Sequence, residues 1–150
     1  MEIHDKIKIR QIAFQSEAYN EELKLRDKVL RKPLGMSLYD ENLEREAGDI
    51  HFGSFIEGQL VGVLLLTPLT PVEIKMRQVA VDETYRSKKV GSRLVGYAEQ
   101  YARTSGYARM VLNARATAVP FYETLGYRVI SNEFTEVGIP HFKMIKNIRE

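Results

Sequence analysis

The chain has 150 residues, of which 44% are hydrophobic, so it is long enough to fold as one domain with a buried core. Its 22 Lys and Arg residues nearly balance its 20 Asp and Glu residues, which argues against a general nucleic-acid-binding surface. Cysteine is absent, which excludes disulfides, thiolate zinc sites and a cysteine nucleophile. We therefore expect a single domain over residues 1–150, with no metal and no nucleic-acid partner.

Hydrophobic periodicity predicts the elements of the first half of the chain. A helix is expected with Ser16 or Asn20 as its N-cap. The polar segment at 35–49, with a short helical pattern at 40–47, is either a substrate-facing loop or an inert connection. The turn Glu57-Gly58 is expected to join two strands as a hairpin. The predicted ranges are a strand at 7–12, a helix at 16–31 and strands at 50–56, 59–67 and 73–81.

Two helices and three strands are predicted in the second half. Gly106 and Gly126 are expected to end the helices, and Thr117 is expected to cap the second one. The turn Gly138-Ile139-Pro140 precedes the last strand. The resulting order, β-α-(α)-β-β-β-α-β-α-β-β, indicates a single α+β layer structure. The predicted ranges are a helix at 92–105, a strand at 109–114, a helix at 119–125 and strands at 127–130 and 142–145.

A basic turn connects the strand at 73–81 to the helix at 92–105. Residues 84–93 contain four cations and no acid. Backbone N–H groups, the positive end of a helix and these cations would meet at one place, which suits a phosphate or pyrophosphate. Taken alone, the turn is equally well explained as a solvated helix cap. The four cations are Arg86, Lys88, Lys89 and Arg93.

The turn Arg86-Ser87-Lys88-Lys89-Val90-Gly91 resembles the acyl-CoA signature of the GCN5-related N-acetyltransferase (GNAT) superfamily. That signature is Arg or Gln, two residues, Gly, one residue, then Gly or Ala. Lys89 stands where the family usually has Gly. A side chain at this position is expected to be feasible only if the backbone there does not need a positive φ. A second segment, Phe121-Tyr122-Glu123-Thr124-Leu125-Gly126-Tyr127, is similar to another GNAT hallmark and follows at the expected distance.

A closer likeness is to ElaA-like members of the superfamily. It rests on Arg77-Gln78-Val79-Ala80-Val81, on Lys89-Val90-Gly91 and on Glu136-Val137-Gly138-Ile139-Pro140-His141. The resemblance implies the GNAT acyl-CoA N-acyltransferase fold, an α+β fold whose mixed, mostly antiparallel sheet of about seven strands is flanked by helices.

The resemblance also implies a function. A GNAT enzyme transfers an acetyl group from acetyl-CoA directly to an amine of a small molecule or peptide, in a ternary complex without a covalent enzyme intermediate. The alternative is a CoA-binding or sensor module that kept the fold and lost turnover. A nucleotide-binding protein is a weaker alternative, because the sequence has no Walker-type Gly-Lys-Ser/Thr segment.

The cofactor-binding residues are those that match the family's motifs. Backbone groups of the turn and Ser92 would bind the pyrophosphate, and the backbone of Val79–Val81 would lie beside the pantetheine arm and the thioester. Asn113 and Arg115 would bond the pantetheine amides or the phosphates, or would simply cap the next helix. The complete set is Val79, Ala80, Val81, Arg86, Ser87, Lys88, Lys89, Val90, Gly91, Ser92, Asn113 and Arg115.

The candidate catalytic residues are Tyr122, Glu73 and His141. Tyr122 occupies the position of the family's tyrosine that protonates the departing thiolate; its alternative role is packing beside Phe121. Either Glu73 or His141 would accept the amine proton. The alternatives are a surface glutamate at the start of a strand and a histidine that only makes structural hydrogen bonds.

The acceptor pocket is expected to be built from residues 35–49 and the last turns of the chain. The amino terminus lacks the apolar segment of a signal peptide, and the longest apolar run, near 61–66, is too short to span a bilayer. We therefore expect a cytoplasmic protein without a membrane partner. The sequence leaves open whether it acts as a monomer or as a homodimer.

Overall fold

The structure, a computed structural model, describes residues 6–149. Three α-helices occur in this part of the chain: α1 (Glu17–Arg26), α2 (Val90–Thr104) and α3 (Val119–Thr124). The strands are β1 (Ile7–Ile12), β2 (Ile50–Ile56), β3 (Gln59–Pro68), β4 (Glu73–Val81), β5 (Arg109–Arg115), β6 (Arg128–Val129), β7 (Phe134–Glu136) and β8 (Ile139–Asn147).

The strands are hydrogen-bonded in the order β1-β2-β3-β4-β5-β8-β6, and β7 pairs with β8. β4 and β5 are parallel, whereas β1–β2, β2–β3 and the three pairs made by β8 are antiparallel. The predicted mixed, mostly antiparallel sheet is therefore confirmed, with β7 as an additional strand.

The chain divides into two compact units. The first unit contains the residues up to Thr67 together with Gln78–Ala98, and the second contains Pro68–Arg77 together with the residues from Glu99 onward. The boundaries fall inside β4, inside α2 and before the last residue of β3, so each unit contains part of all three elements.

In the first unit, the predicted helix at 16–31 begins where expected. The Ser16 hydroxyl accepts the N–H of Tyr19 at 3.1 Å, so Ser16 rather than Asn20 is the N-cap. After Arg26 the helix continues as one π-helical turn, Asp27–Arg31, and Gly35 in the left-handed conformation (φ 70°) ends a final 3₁₀ turn. Its apolar face packs into a core that includes Tyr19, Leu23, Leu25, Ile12, Phe55 and Val63.

The segment at 35–49 is folded against this core. It forms two 3₁₀ helices, Leu38–Asp40 and Leu43–Gly48. The side chain of Leu38 is fully buried, and its backbone N–H donates to the Asp27 carboxylate at 2.8 Å. Both contacts fix the chain, and the choice between a substrate-facing loop and an inert connection stays a prediction.

The hairpin between β2 and β3 is confirmed. Glu57 and Gly58 both have positive φ, at 50° and 80°. This pair of left-handed residues is the requirement of a type I′ turn, whose twist matches that of the flanking strands. Glycine meets the requirement at the second position without a steric cost.

In the second unit, the end of the chain differs from the prediction. β8 begins at Ile139, so Ile139 and Pro140 lie in a strand and the tight turn falls at Val137-Gly138. The sequence pattern predicts Pro140 in the turn, but a proline near the start of a strand is tolerated because its missing N–H is not needed there. The prediction for Thr117 is also wrong, since the N-cap of α3 is Ala118 and no side chain caps that helix.

Candidate active site

The basic turn lies between the end of β4 and the start of α2. Asp82 caps a 3₁₀ helix, Glu83–Lys88, by accepting the N–H of Thr84 at 3.0 Å. The bond from Arg93 N–H to the Lys89 carbonyl, at 3.1 Å, spans the first turn of α2. The N–H groups of residues 90–92 precede that bond and lie at the positive end of a helix of 15 residues, which is an environment suited to an anion.

The backbone of Lys89 contradicts the expectation from the sequence. Lys89 has a φ of 64°, in the left-handed region, where it terminates the 3₁₀ helix. The backbone at Lys89 does adopt a positive φ, and the lysine side chain is accommodated in that conformation. The left-handed conformation costs a residue with a side chain about 1 kcal/mol relative to glycine.

Replacing Lys89 with Gly should therefore raise the free energy of unfolding by up to about 1 kcal/mol in urea denaturation. We expect the affinity for acetyl-CoA, measured by calorimetric titration, to change by no more than a few-fold, because the resemblance assigns the phosphate contact to backbone amides of the turn. Lys32→Gly is the matched control: Lys32 has a φ of −53°, so this substitution relieves no strain and should destabilise the protein. A 100-fold loss of acetyl-CoA affinity in Lys89→Gly would show that the side chain holds the phosphates.

The other predicted cofactor residues of the first unit belong to the end of β4 and to the turn. Ala80 is buried in the core cluster of α1, and Val81 packs against the cluster of Ile7, Ile56 and Val90. Arg86 is exposed, with its Nε 3.5 Å from the Val81 carbonyl oxygen. The side chains of Ser87 and Lys88 lie outside the described part of the structure.

Gln78 interrupts the extended conformation of β4. Its φ is 56°, and its side-chain oxygen is buried without a hydrogen-bond partner among residues 6–149. The pairing of β4 with β5 covers only Glu73–Met76 with Arg109–Leu112. The regular extended conformation of β4 is therefore interrupted at Gln78 and holds only on either side of it.

Tyr122 lies in α3 of the second unit. Only 7% of its surface is exposed, and its ring contacts the edges of Phe121 and Tyr127 at centroid distances of 5.0 and 5.8 Å. Burial raises the pKa of the Tyr122 hydroxyl. No hydrogen bond of this hydroxyl is found within the described residues. The group is thus a protonated donor held in an apolar wall.

The two candidate bases lie at opposite ends of β5. Glu73 is in register with Arg109 at the first residue of β5 and approaches its Nε at 3.4 Å. His141 is in register with Arg115 at the last residue. Six residues of extended chain separate these positions, or about 20 Å. The structure therefore does not bring Glu73 and His141 together.

His141 is 3% exposed and lies beside two polar residues. Its Nδ1 is 3.0 Å from the carbonyl oxygen of Ile139, and its Nε2 is 3.6 Å from Glu136 Oε2. The Asn113 amide donates to Glu136 Oε1 at 3.1 Å. Asn113 and His141, predicted for different tasks, thus meet at one carboxylate at the carboxyl-terminal end of β5.

A family model described as an acetyltransferase (GNAT) domain matches residues 17–148 of this chain. The chain belongs to the GNAT acetyltransferase family. Its sequence is 40% identical over 74 residues to YjcF of Bacillus subtilis (strain 168), named an uncharacterized N-acetyltransferase; the match covers 49% of this chain. The chain spans about half the length of this relative, 53%.

Solved structures share the GNAT fold. Escherichia coli ElaA superposes with a TM-score of 0.80 and 20% identity, covering 94% of this chain and 99% of ElaA. An aminoglycoside 6'-N-acetyltransferase complexed with coenzyme A gives a TM-score of 0.77 with 18% identity, covering 95% and 98%. These likenesses confirm the fold, and the family model over residues 17–148 confirms the superfamily, whereas a specific relation to ElaA-like members stays a prediction.

Glu136 is a residue of this GNAT chain that the sequence interpretation did not assign to the site. It stands in the same segment as His141, five residues earlier, so the segment itself carried the signal. The hydrogen bond with Asn113 could not be predicted from the sequence, because 23 residues separate the two.

Among the helices of residues 6–149, none has the length and apolar composition that crossing a membrane requires.

A buried network of charged side chains in the first unit was also missed. Arg26, with no exposed side-chain surface, donates to Glu22 at 2.9 Å and to both carboxylate oxygens of Glu46 at 2.8 and 2.5 Å. His51 Nδ1 is 2.8 Å from Glu22, and its Nε2 is 3.0 Å from the Glu46 carbonyl oxygen. Tyr19 donates its hydroxyl to Glu46 at 3.0 Å. These bonds join α1, β2 and the segment at 35–49.

The network contains three groups that could ligate a metal, since atoms of Glu22, Glu46 and His51 lie within 4.8 Å of one another. The guanidinium of Arg26 already bridges the two carboxylates and supplies the positive charge between them. Their chemistry is therefore that of an ion-pair network that holds the fold, and we assign no cation to it.

Proposed function

We propose that this protein transfers an acetyl group from acetyl-CoA to the amine of a small molecule or peptide, by direct attack within a ternary complex. The observation that carries the proposal is the turn between β4 and α2, where the N–H groups of residues 90–92 lie at a helix N-terminus beside basic residues. Such a helix end binds phosphate, and we assign the CoA pyrophosphate to it. The absence of cysteine supports transfer without a thioester on the enzyme.

The cofactor is proposed to lie along the end of β4 and the turn that follows it. We assign the pyrophosphate to the turn from Arg86 to Gly91 and to Ser92, and the pantetheine arm to the backbone of Val79–Val81. The left-handed Gln78 and the short pairing of β4 with β5 support this assignment, because backbone groups after Met76 are not used in that parallel ladder. Arg115 is proposed to contact the phosphates or the pantetheine amides. Asn113 is proposed to make the same kind of contact with the amide N–H that does not donate to Glu136.

Tyr122 is proposed to assist the leaving group. In the reaction the amine nitrogen forms a bond to the thioester carbonyl carbon, the C–S bond breaks, and the sulfur leaves with the electron pair. Burial raises the pKa of Tyr122, so full proton transfer to a thiolate of lower pKa is uphill. Its contribution is therefore a hydrogen bond that stabilises the thiolate, while solvent supplies the final proton.

His141 is better placed than Glu73 to accept the amine proton. His141 and the start of α3 both lie at the carboxyl-terminal end of β5, since Arg115 is in register with His141 and directly precedes the 3₁₀ turn that leads to α3. Glu73 lies at the other end of β5, where it forms an ion pair with Arg109 at 3.4 Å. A neutral imidazole is a competent base near pH 7.

Calorimetric titration with acetyl-CoA and CoA, followed by a thiol-release screen against pooled amines, tests the proposal. Binding together with thiol release would establish the transferase and identify the acceptor. Binding without release from any pool would favour the CoA-binding module, and no binding would overturn both. ATP is the control ligand, because binding of ATP without binding of CoA would indicate a nucleotide site. The cytoplasmic location and the choice between monomer and homodimer stay predictions.

A further inference from the structure

A group of polar side chains shares one face of the sheet in the second unit. Lys143 on β8 is opposite Asn113 on β5, and Lys75 on β4 is opposite Val111, two residues before Asn113. Opposite residues and residues two apart point to the same face of a sheet. Glu136 reaches this face from β7, where its carboxylate accepts the amide of Asn113. Cations and one carboxylate therefore lie side by side there.

Only one of the two oxygens of the Glu136 carboxylate accepts a direct hydrogen bond from a described residue. Asn113 occupies Oε1, and the side chain remains 47% exposed. On the other oxygen, Oε2 faces Nε2 of His141 at 3.6 Å, which is too long for a direct hydrogen bond. Asn113 thus fixes the orientation of the carboxylate and leaves Oε2 available to a donor.

The tautomer of His141 determines what fits at this place. A carbonyl oxygen can only accept, so Nδ1, 3.0 Å from the Ile139 carbonyl, carries the proton. In the neutral ring Nε2 is then an acceptor that faces a second acceptor, Glu136 Oε2. An N–H donor placed against both atoms would satisfy them together, and the ammonium or amine of an acceptor molecule is such a donor.

Lys75 supplies the opposite charge on the same face. It is half-buried, and it makes no hydrogen bond or ion pair to any residue from 6 to 149. Burial lowers the pKa of Lys75, the charge of Glu136 opposes this shift, and Arg77 and Lys143 add to it. A partly desolvated ammonium that makes no ion pair is costly, so an anionic group of a ligand would be stabilised beside it.

We infer that this face binds an acceptor that carries an amine and an anionic group a few bonds apart, with the amine at Glu136 and His141 and the anion at Lys75. The inference rests on the proposed acetyl transfer. Glu136 and Lys75 are then specificity-determining residues, and Asn113 is a positioning residue that acts through Glu136. The class includes amino acids with a free carboxylate and amines with a phosphate.

The proton balance of the transfer follows from these positions. The bound ammonium gives one proton to His141 Nε2, which releases it to solvent. The resulting amine forms the C–N bond as the C–S bond breaks, and its second proton leaves the nitrogen while the thiolate becomes the CoA thiol. In sum one ammonium and one acetyl-CoA give one amide, one CoA thiol and one proton. While His141 holds this proton, the charge of Glu136 stabilises the imidazolium.

NMR titration with three small probes tests the inference, with and without saturating CoA. β-Alanine carries both groups, propylamine only the amine, and propionate only the carboxylate. We expect β-alanine to bind at least about 10-fold more tightly than either of the others, the effect of one additional charge-assisted contact. Shifted resonances should include those of Lys75, Asn113, Glu136 and His141.

Two substitutions with matched controls locate the contacts. Glu136→Gln keeps an oxygen for Asn113 but removes the charge, so it should abolish the 10-fold advantage of β-alanine over propionate. Lys75→Met keeps the side-chain stem and should abolish the 10-fold advantage of β-alanine over propylamine. Glu133→Gln and Lys8→Met change exposed residues of the same types and should preserve both advantages. Thermal unfolding of all four variants separates a loss of binding from a loss of fold.

The inference is overturned if β-alanine binds no more tightly than the two single-group probes. It is also overturned if the advantage over propionate survives Glu136→Gln or if the advantage over propylamine survives Lys75→Met. A carboxylate that only holds the β7–β8 hairpin would change the unfolding temperature and leave probe preference unaltered. Acetyl-CoA titration of the same samples separates the two proposals: absence of CoA binding overturns the transferase, whereas normal CoA binding without probe selectivity overturns only this assignment.

Discussion

Replacing Tyr122 with Phe should lower kcat for acetyl transfer by about 10- to 1,000-fold and leave the Kd of acetyl-CoA within a few-fold. The substitution removes one hydroxyl from an apolar wall and keeps the ring contacts with Phe121 and Tyr127. Because the hydroxyl bonds no described residue, its loss breaks no contact of the fold. Steady-state kinetics with the acceptor from the amine screen, together with calorimetric titration, measure both quantities.

Tyr127→Phe is the matched control for this experiment. The Tyr127 ring touches that of Tyr122, but its hydroxyl donates to Glu99 at 2.8 Å. Removing that hydroxyl leaves the buried Glu99 with one partner fewer, so stability should fall by about 1–3 kcal/mol while kcat is retained. If Tyr122→Phe retained full kcat, the role of Tyr122 would be packing alone.

Replacing Arg26 with Ala should lower the free energy of unfolding by about 3–5 kcal/mol. The guanidinium is fully buried and bonds both Glu22 and Glu46, so its removal leaves two buried carboxylates without their cation. Urea denaturation measures the change. Lys24→Ala on the same helix is the control, because its ion pair with Glu21, at 3.7 Å, is exposed and contributes at most about 1 kcal/mol.

A loss below about 1 kcal/mol in Arg26→Ala would show that the network does not stabilise the fold. Replacing Glu22, Arg26 and Glu46 together by apolar residues of similar volume should recover most of the stability, because the desolvation of all three charges is then avoided. The single and triple substitutions thus separate the cost of an unpaired charge from the net value of the network.

The same network makes stability depend on pH in two directions. Burial opposes a charge on His51, but its bond to Glu22 and the nearby carboxylates raise its pKa. Its contribution is therefore complete below the unfolded pKa of about 6.5 and is lost as pH rises through the folded value. Burial opposes a charge on Glu46 as well, but Arg26 lowers its pKa. Its contribution is complete above about pH 4.5, the unfolded pKa of this carboxyl, and is lost as pH falls through the folded value.

Local patterns in the sequence were enough to predict most of the fold. The cap at Ser16, the Glu57-Gly58 turn and the strands from residue 50 to 81 follow from rules that act within a few residues. β7 was missed because it has only three residues and pairs with a strand in which Pro140 suggested a break. Short-range rules therefore identified the framework and failed where pairing decided the structure.

The site was predictable to a smaller extent. The turn and Tyr122 stand in motifs, so their type and spacing indicated them. Glu136 acquires its position from Asn113, and Arg26 pairs with Glu46 across 20 residues. A pattern of charges along one helix cannot distinguish such a buried pair from a solvated surface. The positive φ of Lys89 was equally hidden, because lysine carries no signal for the left-handed conformation.

Because of the π-helical turn at Asp27–Arg31, we expect the structure of this part of the chain to be damaged more by deletion of a residue than by a substitution. A π turn is equivalent to one residue inserted into an α-helix. Deleting one residue there would restore regular helical geometry and rotate everything that follows by about 100°. The bond between Asp27 and the Leu38 N–H would then be out of register, and with it the whole segment at 35–49. Substitutions in the turn leave this spacing intact, so a one-residue gap is the more damaging change.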